Sequence, residues 1–278
     1  MILFNTIALE IGAMCNRKCW FCPNAYNTRP DEFMPYELIK KILSELGSIQ
    51  YDKRIIFYIY NEPLRDKRLL DIIRLSRKTV PKATLMIATN GDYIKNTKQI
   101  QELFNSGLNQ LQINVYSNMR RYRKLLSIVK ETDAEEGNIY CNTSPKKKYY
   151  SIEIKFDKRL TKTALKIGRF ELSNRSGHIP IGTPTEPLKR LCVRPFRAMQ
   201  INWNGKVILC CNDYNADVIC GDVNKQSAQD IWYKSTTLEM YRKKLIKYNR
   251  SGLKLCSTCS FKGGEYQHFI KKHWQELV

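Results

Sequence analysis

The sequence predicts an α/β protein in two parts: a parallel sheet built from repeated strand–helix units, then a small β-hairpin-plus-helix region. Two observations carry this. Runs of β-branched and aromatic residues alternate with runs whose apolar residues recur at helical spacing, in units of roughly 30 residues, through the first half of the chain. Such alternation implies right-handed βαβ crossovers and a parallel sheet. Spacing alone leaves an open sheet and a curled one both standing. After Pro180, Pro184 and Pro187 the pattern changes to two short β-rich runs around Asn204-Gly205.

The elements follow in order. Thr6 to Gly12 reads as a buried strand. Pro35 to Leu46 reads as a helix, with Pro at its first position, Leu38, Ile39, Ile42, Leu43 and Leu46 on one face and Gly47 as its stop. Arg54 to Tyr60 is β-rich, and Lys67 to Val80 is helical through Leu69, Leu70, Ile72, Ile73 and Leu75. Thr84 to Thr89 is a strand, and Gln99 to Ser106 a helix ended by Gly107. Gln110 to Tyr116 is a strand, Met119 to Glu131 a helix, Tyr149 to Phe156 a strand and Leu160 to Ile167 a short helix. Ile179 to Leu188 reads as a linker. Met199–Trp203 and Lys206–Leu209 form a hairpin through a type I′ Asn-Gly turn, and Ala228 to Tyr248 is one helix.

The composition is 43% hydrophobic and 26% charged, that of an ordinary soluble globular protein. No apolar run is long enough to span a membrane, and Met1 to Glu10 lacks the basic start of a signal peptide. Ten cysteines without an export signal imply a reducing cytoplasm and metal ligation rather than disulfides. Cys141, alone in its stretch, reads as a small buried hydrophobe. The net charge of +21, with runs such as Arg120 to Lys124 and Lys146 to Lys148, suits an anionic partner or a solvated basic surface. The charge is spread along the chain and no nucleic-acid motif accompanies it, which favours the solvated surface.

Cys15, Cys19 and Cys22 sit three and two residues apart. A structural zinc site closes with four ligands, and no histidine lies nearby: the histidines are His178, His268 and His273. Three thiolates suit a 4Fe-4S cluster with one iron left open for chemistry. This C-x3-C-x2-C spacing, with Phe21 just before the last cysteine, resembles the signature of the radical S-adenosylmethionine (radical SAM) enzymes. The resemblance implies a partial (β/α)6 TIM-like barrel with the cluster loop after its first strand. Tyr60-Asn61-Glu62-Pro63, after the second strand, resembles the family's Gly-Gly-Glu-Pro motif and departs from it at Asn61. By resemblance, Phe21 lies by the adenine, the Tyr60 to Glu62 backbone meets the methionine amino group, and Asn90, Asn114 and Ser117 line the cofactor site.

Cys256-Ser-Thr-Cys259 forms a second pair, with Cys192 before the hairpin and Cys210 after it. Spacing leaves zinc and iron both open for these four. Cys192, Gly205 and Cys210, with Gly221-Asp-Val-Asn and Asp230-Ile-Trp232, resemble the SPASM extension of radical SAM enzymes, cut short as in its one-cluster Twitch form. That implies one four-cysteine 4Fe-4S cluster on Cys192, Cys210, Cys256 and Cys259, leaving out Cys211 and Cys220. The implied domains are a radical SAM barrel at 1–180 and a Twitch/SPASM domain at 190–278.

Leu172-Ser173-Asn174-Arg175 resembles a substrate-contacting stretch of the aminocyclitol (2-deoxy-scyllo-inosamine) dehydrogenases of that family, with Arg175 the contact; a loop arginine in a surface ion pair is the plainer reading. The resemblance implies an oxidoreductase that cleaves S-adenosylmethionine to a 5′-deoxyadenosyl radical and takes a hydrogen from a sugar-like or aminocyclitol alcohol. The auxiliary cluster would accept an electron, and a flavodoxin- or ferredoxin-type donor would reduce the first cluster. The alternative is a SPASM enzyme that modifies a peptide or protein. Against it, the chain starts directly at the first barrel strand.

Overall fold

A computed structural model describes residues 3–132, 139–141, 150–156, 173–263 and 270. One nine-stranded sheet runs through the molecule in the order β5-β6-β4-β3-β2-β1-β7-β8-β9. Its strands are β1 (Thr6–Leu9), β2 (Arg54–Ile56), β3 (Thr84–Thr89), β4 (Gln110–Val115), β5 (Ile139–Cys141), β6 (Tyr150–Phe156), β7 (Ala198–Ile201), β8 (Lys206–Ile208) and β9 (Ile219–Asp222). The pairs from β6 through β4, β3, β2 and β1 to β7 are all parallel; β5, β8 and β9 extend the two edges antiparallel. This is the partial α/β barrel that the sequence implies, with the C-terminal hairpin grafted onto the free side of β1.

Four amphipathic helices connect the strands: α1 (Tyr36–Ser48), α2 (Leu69–Thr79), α3 (Thr97–Asn105) and α4 (Met119–Lys130). Each packs beside the next, α1 on α2, α2 on α3 and α3 on α4. The apolar face expected for α1 is the one buried. Asn96 and Asn118 cap α3 and α4 by accepting from Gln99 N–H and Arg121 N–H. The core is continuous from α1 to the C-terminal helices α6 (Ala228–Lys234) and α7 (Thr236–Ile246). The short helix α5 (Arg194–Arg197) leads into β7. Trp232 of α6 is fully buried and meets Phe4 edge-on at 5.4 Å, which ties the last third of the chain to the first residues.

Several boundaries differ from expectation. β2 stops at Ile56 because the Asn61 carboxamide turns back and accepts Ile59 N–H. α1 runs through Gly47 to Ser48; a Cβ on Gly47 would lie 2.7 Å from the Thr79 carbonyl oxygen, so this glycine serves a close helix approach and not a stop. The hairpin forms, but its turn is not type I′. Gly205 alone of the pair has positive φ, at 84°, and the Asn202 carbonyl and carboxamide accept from Gly205 N–H and Lys206 N–H. The helix expected from Ala228 to Tyr248 breaks at Ser235, which is extended and caps α7 by accepting Leu238 N–H. β5 was not expected. The Leu160 to Ile167 helix, the Lys146 to Lys148 run and the side chain of Cys141 lie outside the described residues.

β9 carries Gly221 directly beneath Ile231 of α6. A Cβ there would lie 2.6 Å from an Ile231 methyl carbon. Gly221→Ala is expected to destabilise the protein by about 1–3 kcal/mol. Combining it with Ile231→Ala should cost less than the sum of the two single changes. Urea unfolding of the four members of this cycle checks it.

Candidate active site

The cysteine loop leaves β1 and returns to α1. Its base is closed by Ala13 N–H donating to the Glu32 carbonyl and Met34 N–H to the Ile11 carbonyl, both at 2.9 Å. Asp92, just beyond β3, grips the loop tip: Arg17 donates to its two oxygens at 2.7 and 2.6 Å, and Asn16 at 2.8 Å. Asn90 donates to Asn16 Oδ1 at 2.8 Å and reaches toward Cys15 Sγ at 3.8 Å. Arg121 of α4 donates to the Gly91, Asp92 and Ile94 carbonyls and fixes the turn that carries Asp92.

One cavity at the C-terminal ends of β1 to β4 is lined by Cys15, Cys19 and Cys22, by Phe21, by Tyr60, Asn61 and Glu62, and by Asn90, Asn114 and Arg175. The structure therefore brings together every residue expected there except Ser117, which is exposed past the end of β4 and does not line the cavity. Tyr116 lines it instead and meets the Phe21 ring at 5.1 Å. Arg17, Asn24, Tyr58, Ala88 and Thr89 complete the lining. Asn61 folds its side chain back onto Phe57 and Ile59 and does not adopt positive φ, so glycine is not required there.

Glu62 is 3% exposed, and its carboxylate accepts from Thr89 Oγ1, Asn90 N–H and Leu64 N–H at 2.7, 2.8 and 3.1 Å. Burial raises its pKa against those three donors, and its oxygens are spent on holding the β3 turn. What this stretch offers the cavity is therefore backbone. Tyr60 N–H donates to Glu10 Oε1 at 3.0 Å, and the Tyr60 hydroxyl to the Cys211 carbonyl at 2.6 Å. Glu10, fully buried, also takes Arg29 Nη1 at 2.6 Å. Arg29 lies over the rings of Tyr60, Trp203 and Tyr214 and donates to the Tyr214 carbonyl. Glu10, Arg29 and Asp92 escaped sequence reading because their partners are distant; a lone glutamate ending an apolar strand was the available signal.

Cys192, Cys210, Cys256 and Cys259 are all buried and free. Burial raises the Cys210 pKa, with Cys211, Cys192 and Cys256 adding to it, and burial raises that of Cys256, with Cys192 and Cys259 adding to it. Burial raises the Cys220 pKa, and its charged neighbours are Asp213 and Arg242. β8 ends at Ile208, so strand alternation does not orient Cys210 and Cys211; Cys210 is the one whose Sγ receives an N–H, from Asn212 at 3.4 Å.

Both cysteine groups suit iron. Burial pushes up the Cys15, Cys19 and Cys22 thiols, Cys19 to about 11, and also Cys192, Cys210 and Cys256, the last to about 12. A metal that replaces those protons removes the penalty on the thiolates. Among the described residues, the three donor atoms found within 4.8 Å of one another belong to His178, Asp213 and Asp217, not to the cysteines. A tetrahedral zinc would draw its sulfurs to within about 4 Å of each other. Beside the four buried thiols, Arg194 Nη1 and Arg250 Nη2 are buried without a hydrogen-bond partner, as an anionic group there would require.

Comparison with known proteins agrees with this geometry. Residues 9–136 match the radical SAM superfamily, and residues 192–260 match SPASM, an iron-sulfur cluster-binding domain. Residues 9–136 thus carry a radical SAM domain and residues 192–260 a SPASM domain. It is 26% identical over 260 residues, 93% of each chain, to an S-adenosyl-L-methionine-dependent 2-deoxy-scyllo-inosamine dehydrogenase of Niallia circulans. It superposes on the crystal structure of BtrN in complex with AdoMet and 2-DOIA with a TM-score of 0.71, 25% identity and 94% of each chain covered. BtrN in an open conformation gives 0.68 at 23% identity, over 96% of this chain and 98% of that one, a likeness of fold. Among the described residues no helix is long and apolar enough to cross a membrane.

Burial raises the Asp92 pKa, but the hydrogen bonds from Arg17 and Asn16 outweigh it and hold the carboxyl below its usual value of 3.8. A lowered carboxylate pKa contributes stability above the unfolded-state value, lost as pH falls through the folded-state value. Asp92→Ala is thus expected to cost about 1 kcal/mol at pH 7 in this half-exposed pair. The difference from the parent should close below about pH 4, as read by denaturant unfolding of the iron-free protein from pH 7 to pH 3.

Proposed function

We propose that this enzyme is a dehydrogenase that oxidises a secondary alcohol of an aminocyclitol or similar sugar-like substrate. The observation that carries the reading is that Arg175 lines the same cavity as Cys15, Cys19 and Cys22, in a chain aligned almost end to end with an aminocyclitol dehydrogenase. Cys15, Cys19 and Cys22 would hold a 4Fe-4S cluster, and Cys192, Cys210, Cys256 and Cys259 a second. When bound, the first cluster with S-adenosylmethionine supplies a 5′-deoxyadenosyl radical that removes a carbinol hydrogen, and the second supplies an electron sink.

The chain's own residues do the rest. Phe21, backed by Tyr116, offers an apolar face for the adenine. The Tyr60 to Glu62 backbone, held by Glu10 and by Met14, whose carbonyl accepts Glu62 N–H, receives the methionine amino end. Asn90 and Asn114 add polar groups at the strand ends. Arg175, with positive φ and a side chain facing the cavity, orients the substrate hydroxyl; its charge favours the alkoxide that forms as the proton leaves. The barrel is assigned to residues 1–180 and the one-cluster Twitch-type domain to 190–278. A flavodoxin- or ferredoxin-type carrier is the electron donor, and the reducing cytoplasm suits a chain whose described cysteines are free.

Under anaerobic conditions with dithionite and S-adenosylmethionine, an aminocyclitol deuterated at its carbinol carbon should yield the ketone and singly deuterated 5′-deoxyadenosine. Unlabelled 5′-deoxyadenosine across a panel of labelled cyclitols and sugars would exclude the reading. Cys256→Ala should lower bound iron from about eight to about four per chain, measured by iron assay. Arg175→Ala should lower kcat/KM about 100-fold or more while uncoupled cleavage of S-adenosylmethionine persists.

A further inference from the structure

Asn212 is fully buried two positions beyond Cys210. Its backbone N–H donates to Cys210 Sγ at 3.4 Å, and its carboxamide nitrogen donates to Cys259 Sγ and to Ser173 Oγ, at 3.5 and 3.4 Å. Its carboxamide oxygen accepts from Arg175 Nη1 at 3.4 Å. The orientation of the amide is fixed by chemistry: a guanidinium only donates, so it must face the oxygen, and a thiolate only accepts, so it must face the nitrogen. One side chain therefore touches a residue of the substrate cavity with one end and a sulfur of the four-cysteine site with the other.

We propose that Asn212 is a positioning residue that couples the cavity to the four-cysteine site and sets the electron affinity of a cluster held there. The proposal rests on the assignment of Cys192, Cys210, Cys256 and Cys259 to one cluster. Gaining an electron makes the sulfurs more negative, so N–H donors on Cys210 and Cys259 stabilise the reduced state more than the oxidised one and raise the potential. Arg175 on the far end of the amide polarises it and strengthens the donation. A change in the company Arg175 keeps in the cavity, such as an arriving alcohol, is thereby felt at the site that takes the electron.

The test uses the full chain with Cys15, Cys19 and Cys22 replaced by Ala, so that bound iron reports the four-cysteine site alone. The midpoint potential is followed by electron paramagnetic resonance during a redox titration. Asn212→Ala, which keeps the backbone donor, should weaken electron affinity about tenfold, a negative shift of ~59 mV for one electron. Asn212→Asp should shift it further, since a carboxylate adds negative charge and cannot donate. Arg175→Met, with Asn212 and all four cysteines intact, should shift it the same way by about threefold.

Equal potentials in the parent, Asn212→Ala and Arg175→Met proteins overturn the proposal. So does a change in iron content with no change in the potential of the iron that remains, which is what a purely structural role gives. If Asn212→Ala takes up no iron, Arg175→Met decides alone: no shift there overturns the coupling. Failure of the triple-alanine parent to bind iron would instead overturn the four-cysteine assignment.

Discussion

The ion pair between Glu10 and Arg29 is the contact on which the site is built. Neither group has water to fall back on: Glu10 is fully buried and the Arg29 side chain is 5% exposed. A buried pair of this kind is worth little against an apolar replacement, but loss of either partner strands a charge, at a cost of about 3–5 kcal/mol. Its position explains why the chain keeps it. Glu10 ends β1 and holds Tyr60 N–H beyond β2, while Arg29 belongs to the cysteine loop and holds the Tyr214 carbonyl from the C-terminal part. Four segments that must meet at one cavity are thus fastened to a single point. The aromatic rings of Tyr60, Trp203 and Tyr214 around the guanidinium exclude water and stiffen the joint.

The electrostatics inside the protein differ from those of its surface. The net charge of +21 is spread along the chain, and part of it stands on exposed helix faces such as Arg120, Arg123 and Lys124 of α4. Two arginines lie beside the buried thiols. Arg194 sits over the Phe261 ring at 3.7 Å, and Arg250 is 2% exposed; each keeps one nitrogen free of protein partners beside the buried thiols. Burial pulls the Arg194 pKa down, and the neighbouring Cys211, Cys210, Cys192 and Cys259 more than reverse it. Charge placed in a low-dielectric interior acts at full strength, whereas the same charge on α4 is screened within about a Debye length.

The repeating units were legible because period and composition agreed: α1 to α4 and β3 and β4 lie within a few residues of their expected bounds. Cys15, Cys19 and Cys22 were legible as a set by their short spacing, and the structure places all three on one cavity. Errors arose where one side chain overruled a local pattern. Asn61 ended β2 early, Ser235 split the last helix, and Asn202 reshaped the hairpin turn. The residues that position the site were barely legible. Asp92 grips Arg17 from 75 positions away and Glu10 reaches Tyr60 across 50, and the one local mark is a lone glutamate ending an apolar strand. Asn212 is next to a cysteine yet gains its meaning only from Arg175 and Cys259, 37 and 47 positions distant.

The pairing of β1 with β7 has a consequence for the order in which the molecule can be made. Thr6 lies against Arg54 on one side and Ala198 on the other. As the chain leaves the ribosome from its N-terminus, β1 can zip onto β2 early but must wait for most of the polypeptide before its other edge is covered. Trp203 and Tyr214, which enclose Arg29, arrive later still. The first cysteines to be synthesised are therefore among the last to gain a finished surrounding. A product truncated before β7 carries an open strand edge on β1, beside the cysteine loop.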